Sequence, residues 1–127
     1  MIASTNFGMP LGRMNLILRV VSAEFDVSLP DLLSHRRMRK IARPRQIACW
    51  LARHATMHSI PQIGNRLGDR DHTTILHAIS RVDEIRSRDT AFREKTDQVL
   101  ARVRAVCAGV PEDRSAVRTR ELGAITA

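Results

Sequence analysis

Gly68-Asp69-Arg70-Asp71-His72-Thr73-Thr74-Ile75-Leu76-His77-Ala78 reads as a turn followed by the start of a helix. Gly68 suits the left-handed residue that closes a preceding helix, because it has no Cβ to clash. Asp71 is a good N-cap, its carboxylate able to accept from the free N–H groups of a first turn. From there Ile75, Ile79 and Val82 recur at helical spacing and define a buried stripe. His72, Thr73, His77, Ser80 and Arg81 fall largely outside that stripe. The first turn therefore displays a carboxylate, an imidazole, and a hydroxyl that carries a methyl. These groups suit base edges in a major groove, as an acceptor for the cytosine amino group and an apolar contact for the thymine methyl.

Working backwards, Ser59-Ile60-Pro61-Gln62 is a helix start. Ser59 caps, Gln62 is its capping-box partner, and proline is tolerated in a first turn. Ile63 and Leu67 supply the apolar side, and Gly68 closes a helix of about nine residues. Short helix, tight turn, longer helix is the helix-turn-helix order, whose second helix enters the major groove N-terminus first.

Charge points the same way. The chain has 127 residues and a formal net charge of +8. Between Asp31 and Asp69 there is no acidic residue, while Arg36, Arg37, Arg39, Lys40, Arg43, Arg45, Arg53 and Arg66 all fall there. The rest of the chain holds 13 Lys and Arg against 13 Asp and Glu, so the whole excess sits in one block beside the reading helix. Such a block is the footprint of phosphate contacts. A solvated basic face, or a patch for acidic lipid or protein, is the plainer explanation that the adjacent helix-turn-helix pattern disfavours.

At this length, with 43% hydrophobic residues, one small domain with a single core is expected. Aromatics are few (Phe7, Phe25, Trp50 and Phe92), so the core must be aliphatic. Their scarcity also argues against a single-strand binder that stacks bases on exposed rings. Cys49 and Cys107 lie on apolar helical faces and read as buried free thiols in a reducing cytoplasm. No apolar run approaches a membrane span, and no signal peptide is convincing, so no membrane partner is expected.

Residues 1–12, with Gly8, Pro10 and Gly12, read as a loose arm. Met14, Ile17, Leu18, Val21 and Phe25 give a helix from Arg13 to about Asp26 its core face. Ser28-Leu29-Pro30-Asp31 starts a one- or two-turn helix through Leu33, with Asp31 reaching back to the cap. Residues 34–43 read as a basic loop, and Pro44 is placed in the first turn of a helix that runs to about Ala55. Ile47, Ala48, Trp50 and Leu51 face inward along it. Asp89 or Thr90 restarts the chain, and Phe92, Val99, Leu100, Val103 and Val106 give a last helix its stripe. Residues 109–127 lose periodicity and read as a mobile tail after a domain spanning 13–108. No strand signal is present. The fold class is all-α.

Gly64 through Ala78 and the run from Asp31 through Gln46 together resemble the C-terminal DNA-binding domain of the bacterial replication initiator DnaA. The resemblance covers roughly residues 13–106, with both motifs in the same order and spacing. It implies that Arg37 enters the minor groove of a DnaA box, an asymmetric site close to TTATNCACA. It implies that Asp71, His72, Thr73 and Thr74 read bases in the major groove, with His77 nearby. Arg45, Gln46, Arg53, Ile60, Pro61 and Arg70 are implied to lie against the backbone or the groove wall. The family usually has Gly-Gly where this chain has Gly68-Asp69, which places a carboxylate near phosphates and removes the second glycine of the turn.

DnaA carries an ATP-binding AAA+ module ahead of this domain; this sequence has no Gly-x-x-x-x-Gly-Lys-Thr loop, and no cofactor is expected. The Met1 start and the distinct tail point to a free-standing gene product. His54 and His58 are spaced like a helical metal pair, but no Cys or carboxylate neighbours them and a helix ends between them. Asp69 and Asp71 lie in a basic setting with no nucleophile motif nearby, so catalysis is not expected.

The leading expectation is sequence-specific binding of DnaA-box duplex DNA by a monomer on the nucleoid, in or regulating replication initiation. The competing expectation is an adaptor that docks on DnaA or a DnaA regulator and has weakened DNA binding, of which Asp69 would be the sign.

Overall fold

The computed structural model describes residues 12–108, all of whose regular structure is helical. The expected arm, apart from Gly12, and the expected tail lie outside these residues. In chain order the helices are α1 (Arg13–Phe25), α2 (Leu29–Leu33), α3 (Arg39–Ala55), α4 (Ile60–Arg66), α5 (His72–Arg88) and α6 (Thr90–Cys107). No helix among them is long and apolar enough to cross a membrane.

Local chemistry sets most of the boundaries. Ser59 and Gln62 form the full capping box, Gln62 N donating to Ser59 Oγ at 3.3 Å and Ser59 N to Gln62 Oε1 at 2.8 Å. At Ser28 only the forward bond forms, from Asp31 N at 3.2 Å. The shorter aspartate side chain does not close the reciprocal bond that Glu or Gln makes. Asp71 Oδ1 accepts from Thr74 N at 2.9 Å and starts α5. Asp89 Oδ1 does the same for α6, accepting from Phe92 N at 3.0 Å. Asp26 ends α1 in the left-handed region, φ 55°.

One boundary differs from the sequence expectation. The basic loop is shorter, residues 34–38, because α3 begins at Arg39. Pro44 therefore lies inside α3, not in its first turn. Proline there forfeits the single bond to the Lys40 carbonyl, and Lys40 is an exposed residue. Arginine and lysine are good helix formers, so the run before Pro44 holds its helix.

α3 is the central element and packs on α1, α2, α4, α5 and α6. It buries Ile41, Ile47, Ala48, Cys49, Trp50, Leu51, Ala52 and Ala55 against Met14, Ile17, Leu18 and Val21 of α1 and Ile75, Ala78 and Val82 of α5. The core is aliphatic, with Trp50 its large aromatic. Its indole Nε1 donates to Asp83 Oδ1 at 2.9 Å, and the Arg86 guanidinium lies 4.5 Å from its ring centroid. The stripe of α6 is Thr96, Val99, Val103 and Cys107, whereas Val106 is exposed. The steps of three and four residues bring Cys107, not Val106, round to the core. Thr96 is fully buried yet satisfied: its hydroxyl donates toward Phe92 O and Arg93 O and accepts from Arg86 Nη1 at 2.7 Å.

Candidate nucleic-acid interface

The turn between α4 and α5 is built by close backbone approach. Arg70 N donates to Gly64 O at 2.9 Å, and a Cβ on Gly64 would lie 2.1 Å from Arg70 O, so only glycine fits there. Gly68 adopts φ 82°, and a Cβ on it would meet Leu33 O at 2.4 Å. Asp69 follows at φ 57°. Aspartate tolerates the left-handed region better than most residues, so the turn keeps its shape without a second glycine.

Beyond that turn the first residues of α5 stand free. Asp71, His72, Thr73 and Thr74 are all exposed, while Ile75 is fully buried behind them. The Thr74 N–H holds the Asp71 carboxyl below the usual carboxylate range. One carboxylate oxygen, Oδ1, is engaged as the cap, and the Thr74 side chain also bonds the carboxylate. The four positive ends of backbone N–H groups at this terminus add favourable potential for an anion.

Two arginines hold the basic loop against this turn from the inside. Arg45 is buried, and its guanidinium donates to three main-chain carbonyls: Nε to Leu32 O at 2.9 Å, Nη1 to Arg36 O at 2.8 Å and Nη2 to Asp31 O at 3.1 Å. Arg70 donates through Nη1 to Leu67 O and through Nη2 to Ser34 O. Between them they occupy the carbonyls of residues 31, 32, 34 and 36, immediately before Arg37. Burial lowers the pKa of both guanidiniums, but arginine stays protonated in proteins. Arg45 and Arg70, expected against the DNA backbone or groove wall, both line the α3–α5 cleft and also hold the loop from within. The donors named here point into the protein and position the loop, and the bond to the buried Leu32 satisfies a carbonyl that water does not reach.

Arg37 itself is exposed in the loop. Gln46, Thr74 and His77 come together with Arg45 and Arg70 around a cleft of about 410 Å³ between α3 and α5. Cys49 and Arg81 also line it. Burial pushes the Cys49 thiol up to about 12, so it is an inert part of the wall. Arg53 is exposed in the last turn of α3, and Ile60 and Pro61 lie in the first turn of α4; none of the three lines this cleft. His54 packs on Trp50 at a tilt of 48° with ring centroids 4.6 Å apart, while His58 is buried beyond the end of α3. Among the described residues no group of three or more His, Cys, Asp or Glu is arranged to hold a metal ion.

Gly64 was read only as the first residue of the motif that carries the resemblance, and Arg81 was given no site role. The glycine is required by a backbone that approaches from six residues away, which no local pattern announces. Arg81 was visible only as a residue off the apolar stripe.

A short helix, a tight glycine turn and a second helix with an exposed polar first turn, set beside a clamped basic loop, define a helix-turn-helix DNA-binding domain. Residues 14–82 match the family model for the bacterial DnaA protein helix-turn-helix. The chain belongs to that family. It is a DNA-binding module and not an enzyme. The chromosomal replication initiator protein DnaA of Rhodopseudomonas palustris (strain HaA2) is 45% identical over 83 residues, 65% of this chain and 18% of that protein. The DnaA of Xanthobacter autotrophicus is 47% identical over 91 residues, 72% of this chain and 18% of that protein. The chain thus spans less than a fifth of the length of these relatives. A crystal structure of a DNA replication initiation factor superposes with a TM-score of 0.65 at 25% identity, over 73% of this chain and 29% of that one.

Proposed function

We propose that this protein binds double-stranded DNA at DnaA-box-like sites on the nucleoid and acts in, or regulates, chromosomal replication initiation. The observation that carries the reading is the exposed Asp71-His72-Thr73-Thr74 turn, standing beside a loop whose carbonyls are held by Arg45 and Arg70. Asp71, His72, Thr73 and Thr74 read base edges in the major groove, Arg37 reaches into the adjacent minor groove, and Gln46 and His77 meet the groove wall from the cleft. Arg53, Ile60 and Pro61 flank the same duplex from the ends of α3 and α4. One copy suffices for one asymmetric box.

The roles are tested by binding of single variants to a box duplex and to a scrambled duplex. Thr73→Ala is expected to lose about 1–3 kcal/mol on the box and little on the scrambled sequence. Arg37→Ala is expected to lose affinity most where the minor-groove half of the box is present. Equal losses on both duplexes for every variant contradict the assignment.

A further inference from the structure

Helix α5 leaves one large apolar side chain open among the described residues. Leu76 is 46% exposed, while Ile75, Ala78 and Val82 near it on the helix are buried. The other exposed large apolar residues, Leu29, Leu33, Met38 and Val106, lie on other elements. A single leucine on an ordinary surface needs no explanation. This surface is not ordinary. His72 and Thr73 precede Leu76 by four and three residues and Ser80 follows it by four, so they share one face of the helix. All of them are exposed, and the three neighbours are polar. Helix α3 meets α5 on a different flank, where Thr74, Ala78 and Arg81 line the cleft and Leu76 does not.

Depth places Leu76 inside a groove that the first turn enters. It lies three residues beyond Thr73, roughly 4.5 Å along the helix axis, and Ser80 lies roughly 10.5 Å along. A major groove is about 8.5 Å deep. With Thr73 at the base edges, Leu76 stays within the groove and Ser80 reaches its rim. The base edges there are hydrogen-bond donors and acceptors with one apolar exception, the C5 methyl of thymine. A leucine pressed on an amino or carbonyl edge strips its water and returns no partner, which is unfavourable. Pressed on a methyl, it removes apolar surface from water on both sides.

We propose that Leu76 is a specificity-determining residue that packs on the C5 methyl of a thymine in the bound site. This rests on the base-reading role of the first turn and adds a contact one turn further along α5. The leucine then selects thymine over cytosine at that position, because cytosine lacks the methyl and presents an amino donor that leucine cannot satisfy.

The test uses the full chain and a box duplex in which each thymine in turn is replaced by uracil. That change removes the methyl and keeps every hydrogen-bonding group. Wild type is expected to lose about fourfold in affinity at the thymine under Leu76, the worth of one buried methyl. Leu76→Ala is expected to weaken binding to the unsubstituted box about five- to twentyfold, to change the scrambled duplex by less than about twofold, and to abolish the uracil effect at that position. Alanine is a better helix former than leucine, and Leu76→Gln, polar and of similar length, is the second variant with the same expectation. Thr73→Ser, which removes only the threonine methyl, is expected to keep the uracil effect under Leu76 and so separates the two contacts. A box-preferring wild type whose uracil profile is unchanged by Leu76→Ala overturns the proposal and leaves the reading turn intact. Equal weakening on box and scrambled duplexes overturns it as well, since that is contact with sugar and phosphate. A wild type that binds both duplexes alike overturns the base-reading role and this contact with it.

Discussion

Arg45 Nη1 donates to the carbonyl of Arg36 at 2.8 Å, and the next residue is Arg37. A buried cation thus fixes the backbone from which an exposed one reaches out. Two further bonds from the same guanidinium, to Asp31 O and Leu32 O, make the hold three-pronged. Arg45→Ala is expected to lower stability by about 1–3 kcal/mol, since the buried Leu32 carbonyl loses its donor and the loop loses its tie at Arg36. Arg45→Lys is expected to recover little, because an ammonium cannot span three carbonyls with planar geometry. Urea unfolding of the two variants checks this, and full recovery by lysine would contradict the clamp.

Asp69 occupies a left-handed backbone that glycine adopts more readily. Asp69→Gly is expected to raise stability by up to about 1 kcal/mol and to strengthen binding to any duplex by removing a carboxylate. Gly68→Ala is expected to destabilise by more than about 1 kcal/mol, since strain adds to a clash with Leu33 O. Thermal unfolding and binding of the pair give the comparison. A less stable Asp69→Gly would show that aspartate makes a compensating contact in the turn.

The Asp71 cap brings a pH dependence of known sign. Its folded carboxyl titrates below the unfolded value because Thr74 N–H favours the charged form. Its contribution is therefore fully present above the unfolded pKa and is lost as pH falls through the folded one. Asp71→Asn still caps the helix and is expected to flatten that part of the acid limb while leaving neutral-pH stability nearly unchanged. Urea unfolding at neutral pH and near pH 3 separates the two. An acid limb identical to wild type would remove Asp71 from the linkage.

Cys49 is buried in the wall of the α3–α5 cleft, with its thiol pushed up to about 12. It is expected to resist alkylation in the folded protein at mildly alkaline pH and to react readily in denaturant. Mass spectrometry after a timed iodoacetamide pulse resolves the two conditions. Rapid native modification would mean that the cleft opens far enough to admit the reagent.

Helix starts were legible in the sequence where the signal is local. Ser59 with Gln62, Asp71 alone, and the apolar steps of α1 and α5 needed no tertiary information. The site's outer surface was legible for the same reason, because exposure of Thr73 follows from burial of Ile75. The inward arginines were not. Arg45 and Arg70 look like any basic residues beside a reading helix, and their acceptors lie on the separate segment 31–36 or in the turn. The extent of α3 was hidden by Pro44, which forfeits a single backbone bond inside a helix that persists.

The most direct measurement is fluorescence anisotropy of the full chain with a labelled duplex carrying one DnaA box, beside a scrambled duplex at the same salt. The account predicts a preference for the box of about a thousandfold or more, the usual range for specific readers. Equal, steeply salt-dependent binding to both duplexes would contradict it, leaving a basic surface that grips phosphate and a first turn of α5 that reads nothing.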